Sequence, residues 1–176
     1  MKTLRALLVL VISAALGGAA LLQALPVIVM DRAMAAITKS AGGPNRWHHP
    51  PRADPMMPSI VRPSPDLAYS VCAYDLRGGP VHIHVGPGAQ YWSLAFYADN
   101  TDNFRTFNDR DHAAGLDIDL VAKGDARASS LPNAIISPSK KGLALVRRLA
   151  PSQADFRLAD GARQADICGA PGLIGL

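Results

Sequence analysis

Glutamate is missing from this chain: all 14 of its acidic residues are aspartate. A cupin-type metal centre, which needs a Glu beside its histidines, is therefore excluded. Cysteine is nearly missing too. The two that exist, Cys72 and Cys168, stand 96 residues apart, so no Cys-x-x-Cys motif is present. There is no Gly-x-Ser-x-Gly elbow, no glycine-rich phosphate loop and no internal repeat. Aromatic residues make up 6% of the chain, and none falls in the first 44 residues. These gaps remove the usual signatures of nucleophilic catalysis and of phosphate binding by a glycine loop.

The charge is unevenly spread. Eighteen Lys and Arg against 14 Asp give a net charge of +4. Residues 1–44 hold four basic residues, one acid and 28 hydrophobic residues. Residues 45–176 hold 14 basic residues, 13 acids and all ten aromatics. This second piece is close to neutral, which excludes a strongly basic nucleic-acid-binding domain. A polytopic membrane protein is excluded as well, because there is one long apolar run and no second.

That run extends from Ala6 to Met30, 25 residues without a charge, with only Ser13 and Gln23 carrying polar side chains. As a helix it rises about 37 Å, enough to cross a hydrocarbon core of about 30 Å. Lys2 and Arg5 flank its start, while Asp31 and Arg32 offset each other beyond it. The positive bias holds the N-terminus in the cytoplasm. A cleaved signal peptide has an apolar region of about 7–15 residues. Ala33-Met34-Ala35 supplies a small-x-small cleavage site, but the run is too long for one. Residues 1–38 are read as an uncleaved signal-anchor transmembrane helix. The remainder is exported, which in a bacterium means an inner-membrane anchor and a periplasmic domain.

Residues 39–65 read as a Pro-rich linker. Seven of the 14 prolines lie from Pro44 to Pro65. Proline fixes φ, removes a donor and pushes its predecessor out of the helical region. The linker is expected to run as an extended stalk or as a strand that wraps the domain edge. His48-His49 looks like a metal handle, but neighbours on an extended chain point opposite ways.

Residues 66–176 read as a periplasmic β domain. Tyr69–Asp75, Val81–Val85 and Tyr91–Tyr97 are strands separated by Gly/Pro turns. Leu116–Leu120 is apolar on one face and acidic on the other. Asn103–Phe107 is a strand between Asp/Asn-rich turns, and short strands are expected near 134–137 and 143–149. Ser152 caps a helix over 153–165, weakened by Gly161. The fold class is all-β, a β-sandwich or jelly roll, with a short C-terminal helix and one N-terminal transmembrane helix.

A family resemblance enters at Arg62-Pro63-Ser64-Pro65-Asp66-Leu67-Ala68-Tyr69-Ser70, followed by Asp75-Leu76 and Gly79-Pro80. These residues resemble the signature of domain-of-unknown-function family 1254, an Asn-x-Asp-Thr-Leu-Tyr-Ser run, then Asp-Leu, then Gly-Pro opening a strand. Tyr91-Trp92-Ser93-Leu94, Asn108-Asp109-Arg110 and Leu145-Val146-Arg147-Arg148-Leu149 are similar in placement. The chain departs from the run at Ser64, Leu67 and Ala68. The resemblance implies a β-sandwich-like fold, a pairing with a family-1214 domain in the same chain or a neighbouring protein, and no particular activity.

Candidate site residues follow from side-chain chemistry. Asp66 sits after two X-Pro turns and can lock the turn by accepting backbone N–H groups; Tyr69 can bury its ring and place its hydroxyl on a polar partner. A ligand pocket at Asp66 and Tyr69 is the alternative. Ala98–His112 is the most polar stretch, and Arg105 and Arg110 within it offer planar forks for a carboxylate or phosphate. A calcium loop here lacks the EF-hand spacing. His82 and His84 share a strand face that reads as an ordinary outward one; the alternative is that they converge on one metal ion, with Asp or His112 as a further ligand. The cofactor, if any, is unknown.

Two exported cysteines favour pairing, so a Cys72–Cys168 disulfide is expected, with two buried thiols as the alternative. Together these features favour a membrane-tethered binding or assembly module that works with a family-1214-type partner and binds no nucleic acid. The competing reading is a periplasmic hydrolase or metal-dependent enzyme using His82 and His84 or the 99–111 Asp/Arg loop.

Overall fold

Residues 2–54 and 63–171 are described by the computed structural model. Alternation of apolar and polar residues produces two sheets that bury their apolar faces against each other. Among the described residues the elements are α1 (Lys2–Ala41), β1 (Trp47–His48), β2 (Leu67–Asp75), β3 (Val81–Val85), β4 (Trp92–Ala98) and β5 (Asn103–Asn108). They continue with β6 (Leu116–Ala122), β7 (Ala134–Ser137), β8 (Lys141–Leu149), α2 (Gln153–Arg163) and β9 (Ile167–Gly169). The larger sheet has the order β1-β2-β8-β4-β5, the smaller β7-β6-β3-β9. All pairings are antiparallel except β6 with β7. The protein is mostly β with an N-terminal helix and a short C-terminal one.

The core forms where the inner faces meet. Trp92, Leu94 and Phe96 of β4 interdigitate with Val81, Ile83 and Val85 of β3 and with Leu116, Ile118 and Leu120 of β6. Cys72 of β2 is bonded to Cys168 of β9, with Cα atoms 6.7 Å apart. That bond joins the sheets along one side of the sandwich. On the opposite side lie the edge strands β5 and β7. Tyr74 crosses the core to donate to the Tyr97 carbonyl at 3.0 Å and meets the Ser137 hydroxyl at 3.1 Å. Gly142 makes room for it: a Cβ there would run into the Tyr97 carbonyl and the Tyr74 hydroxyl.

Helix α1 is long and apolar enough to cross a membrane. From Lys2 to Leu25 every side chain is exposed. Its last three turns behave differently. Met30, Met34 and Ile37, at i, i+4 and i+7, share one face and pack on Ala73, Tyr97 and Leu143 of the larger sheet. Asp31 pairs with Lys141 at 2.6 Å. The helix stops in a Schellman motif, with Gly43 N–H on the Thr38 carbonyl at 2.9 Å and Gly42 N–H on Lys39 at 3.4 Å. Gly42 takes φ +73°, which glycine accepts without strain.

Beyond this stop the chain is strapped to the domain. The Asn45 side chain makes two hydrogen bonds to the backbone of Asp75, at 3.0 and 2.7 Å. Trp47 and His48 then pair with Cys72 and Val71. Arg52 reaches the carbonyls of Pro65 and Pro151 at 3.0 and 2.8 Å. Arg163, the buried last residue of α2, holds the Tyr69 carbonyl at 2.6 Å and the Pro50 carbonyl at 3.0 Å. Helix α2 is closed at its start by a capping box between Ser152 and Asp155.

Candidate functional site

The candidate residues fall in three places. Asp66 and Tyr69 lie at the start of β2. The Tyr69 hydroxyl accepts the Ser64 N–H at 2.8 Å, and Ser64 Oγ accepts the Asp66 N–H at 3.3 Å. The Asp66 carbonyl accepts from Ala150 at 2.7 Å. Asp66 thus closes the turn through its backbone, while its carboxylate is exposed; Tyr69 is the side chain that ties the turn to the strand.

His82 and His84 lie on the outer face of β3, and the register of β3 with β6 sets them opposite Asp119 and Asp117. His82 Nδ1 is 2.9 Å from Asp119, and His84 Nδ1 is 2.7 Å from Asp117. His82 Nε2 faces Asp117 at 3.4 Å. Carboxylates and imidazoles alternate along this ladder. Among the described residues no three His, Cys or Asp side chains converge on a point that suits a metal ion.

Arg105 and Arg110 belong to the third place. β5 is an edge strand, and Arg105 pairs in register with Phe96, so it leans toward the gap between the sheets. A groove of about 470 Å³ opens there. Its walls are Arg105 and Phe107 of β5, Leu116 and Ile118 of β6, Asn133, and Ile135 of β7. The Arg105 guanidinium lies 5.2 Å from the centroid of the Phe107 ring, and the His112 ring meets Phe107 edge-on at 5.4 Å. Stacking on the ring orients the guanidinium and leaves its N–H fork for an acceptor. Asn133 keeps the β6 wall in place by donating to the Asp117 carbonyl at 3.1 Å. Asp117 and His112 also line the groove, so its surface is mixed: Phe107, Leu116, Ile118 and Ile135 supply apolar area between polar groups, Arg105 among them. Its size falls in the usual range of about 300–1,000 Å³ for a binding cleft. Arg110 stands outside it, in the turn capped by Asn108. The structure thus sets the Asp66–Tyr69 turn apart from the histidines and Arg105, while Asp117, the partner of His84, also lines the groove.

A fourth polar cluster has no counterpart in the sequence reading. Arg148, only 3% exposed, pairs with the fully buried carboxylate of Asp166. Burial pushes the Asp166 carboxyl up, and Arg148 opposes the shift. Arg148 Nε and Nη1 and Trp92 Nε1 are buried without a partner among the described residues. A cavity of about 20 Å³ beside Arg148 has room for one water.

The family model for proteins of unknown function, DUF1254, matches residues 44–167. The chain belongs to this family. The match begins at Pro44, so the strap lies within the DUF1254 segment. The solved VPA0106 protein from Vibrio parahaemolyticus shares the fold, with TM-score 0.53 and 16% identity over 60% of this chain and 28% of that one. An uncharacterised protein from Burkholderia cenocepacia gives TM-score 0.46 and 14% identity over 80% of this chain and 37% of that one. The DUF1254 chain therefore spans well under half the length of either solved protein. No curated protein matches it.

Proposed function

We propose that this chain is a membrane-tethered periplasmic binding module whose groove takes an elongated ligand with an apolar body and one anionic group. The observation that carries the reading is the groove itself, a cleft of mixed lining in which Phe107, Leu116, Ile118 and Ile135 lie beside the ring-stacked Arg105. Helix α1 supplies the tether, and the basic flank of Lys2 and Arg5 favours a cytoplasmic N-terminus. Cys72 and Cys168, joined across the sheets, suit an oxidising compartment. The partner is a protein with a family-1214-type domain. In support, the sandwich makes up a minor part of the longer Vibrio protein, where it adjoins much further chain.

The test is capture of a photoactivatable dodecanoate by the full-length protein in lipid nanodiscs. Adducts are expected on peptides containing Phe107, Ile118 or Ile135. Arg105→Gln removes a charge-assisted hydrogen bond of about 1.5–3 kcal/mol, so capture should fall about tenfold or more. Capture spread over the surface and indifferent to Arg105 overturns the reading.

A second reading, a metal-assisted enzyme, draws on the alternating ladder of His82, His84, Asp117 and Asp119. It requires a stoichiometric metal that His82→Ala removes, which elemental analysis of the purified protein measures.

A further inference from the structure

The docked end of α1 fixes which side of the sandwich meets the membrane. Met30 and Met34 cluster with Ala73 of β2, with Tyr97 of β4 and Leu143 of β8 packed against them, and Asp31 pairs with Lys141 of β8. After the helix stops, Asn45 and Trp47 bind β2 from the β1 position. From Met30 to Ala41 the helix advances about 16 Å. That equals about three strand spacings of about 4.8 Å, the step from β4 to β1 in the sheet order. The helix therefore crosses the strands from the β1 position toward β4, and its exposed apolar length is directed to the β5 side. Met30, the first buried side chain, is also the last residue of the uncharged run, so little chain separates the apolar span from the sheet.

The edge on that side is the one that carries the groove. β5 and β7 lie on the side of the sandwich away from the Cys72–Cys168 bond, and the groove opens between them. Ile136, 57% exposed on β7, adds an apolar residue to the same side. Electrostatics do not hold this edge to an anionic surface. Asp99, Asp102, Asp109 and Asp111 at the ends of β5 outnumber Arg105 and Arg110. The helix does the holding, and Arg105 is left to meet the charge of a ligand.

We infer that the β5–β7 edge faces the bilayer and that the groove takes a membrane amphiphile, an acyl chain bearing one carboxylate or phosphate, directly from the lipid layer. The ligand half of this inference rests on the groove reading above; the orientation half does not. In nanodiscs made with brominated phosphatidylcholine, a fluorophore on Thr106→Cys should be quenched. The same fluorophore on Arg46→Cys, about four strand spacings or 19 Å away at the β1 edge, should not. Equal quenching at both sites, or quenching at Arg46 alone, overturns the orientation. Photoreactive phosphatidylglycerol and photoreactive dodecanoate then separate the two ligand sources. Adducts in the groove from either probe, lost on Arg105→Gln, support the inference. Quenching at Thr106 with no adduct from either probe defeats the groove reading and leaves the orientation standing. Adducts without quenching at Thr106 do the reverse.

Discussion

Arg148 on β8 donates from Nη2 to both carboxylate oxygens of Asp166, at 2.7 and 3.0 Å, and to the Gly86 carbonyl at 3.1 Å. The same carboxylate accepts the Gly86 N–H at 3.0 Å. The pair therefore fastens the segment leading into β9 to the end of β3. Asp166→Ala would leave the guanidinium buried and uncompensated, at an expected cost of about 3–5 kcal/mol. Replacing both, as Arg148→Met with Asp166→Leu, removes both charges and should recover most of that loss. Urea denaturation of the detergent-solubilised protein, followed by tryptophan fluorescence, measures both. A single mutant within about 1 kcal/mol of wild type would mean that the pair behaves as a solvated one.

The disulfide closes a loop of 96 residues. In the chain-entropy account a closure of that length is worth about 4–5 kcal/mol. Cys72→Ala with Cys168→Ala should lower stability by that order, and reductant should destabilise the wild type but not the double mutant. Thiol alkylation followed by mass spectrometry checks the pairing directly, since two alkylatable thiols in the unreduced protein would show that the bond is absent.

Where a strand has its own pattern, the sequence reveals it. Val81–Val85 alternates cleanly and is β3, and Trp92, Leu94 and Phe96 face together as expected and are fully buried. β1 and β9 have two and three residues and no pattern of their own; they are strands because β2 and β3 offer free edges. The docking face of α1 is hidden for another reason. Met30, Met34 and Ile37 lie in or just after a run so apolar that no periodicity stands out. The site shows the same division. Arg105 is visible as a planar cation in a polar stretch, and His82 and His84 as residues on one face. Their neighbours depend on tertiary placement: Asp117 and Asp119 come from the register of β3 with β6, Ile135 from a strand that pairs parallel, and Asn133 from the residue just before that strand. Spacing along the chain carries none of that.

Arg163 decides whether the segment after α1 stays on the domain. It is 2% exposed, and it binds the carbonyls of Tyr69 and Pro50 while stacking 5.3 Å from the centroid of the Phe156 ring. Arg163→Ala strands two carbonyls, each at a cost of about 1–3 kcal/mol where water cannot replace the donor. The strap is expected to loosen before the sheets do. Trypsin should then cut at Arg46 and Arg52 in the variant under conditions where the wild type survives. Unchanged cleavage at these sites would place the hold on the strap elsewhere, in Asn45 and Arg52.

His49 makes the protein less stable in acid. Its Nδ1 lies 2.9 Å from Ser70 Oγ, and burial, reinforced by nearby Arg163, lowers its pKa below the ordinary 6.5. The unfolded chain takes up a proton near 6.5, whereas the folded protein does so only at lower pH. Between those values the unfolded state binds more protons, so stability rises with pH across the window and levels off above it. His49→Gln keeps a polar partner for Ser70 and removes the titration. Its melting temperature should change less between about pH 5 and pH 7 than that of the wild type. Parallel slopes in the two proteins would mean that the acid sensitivity comes from other groups.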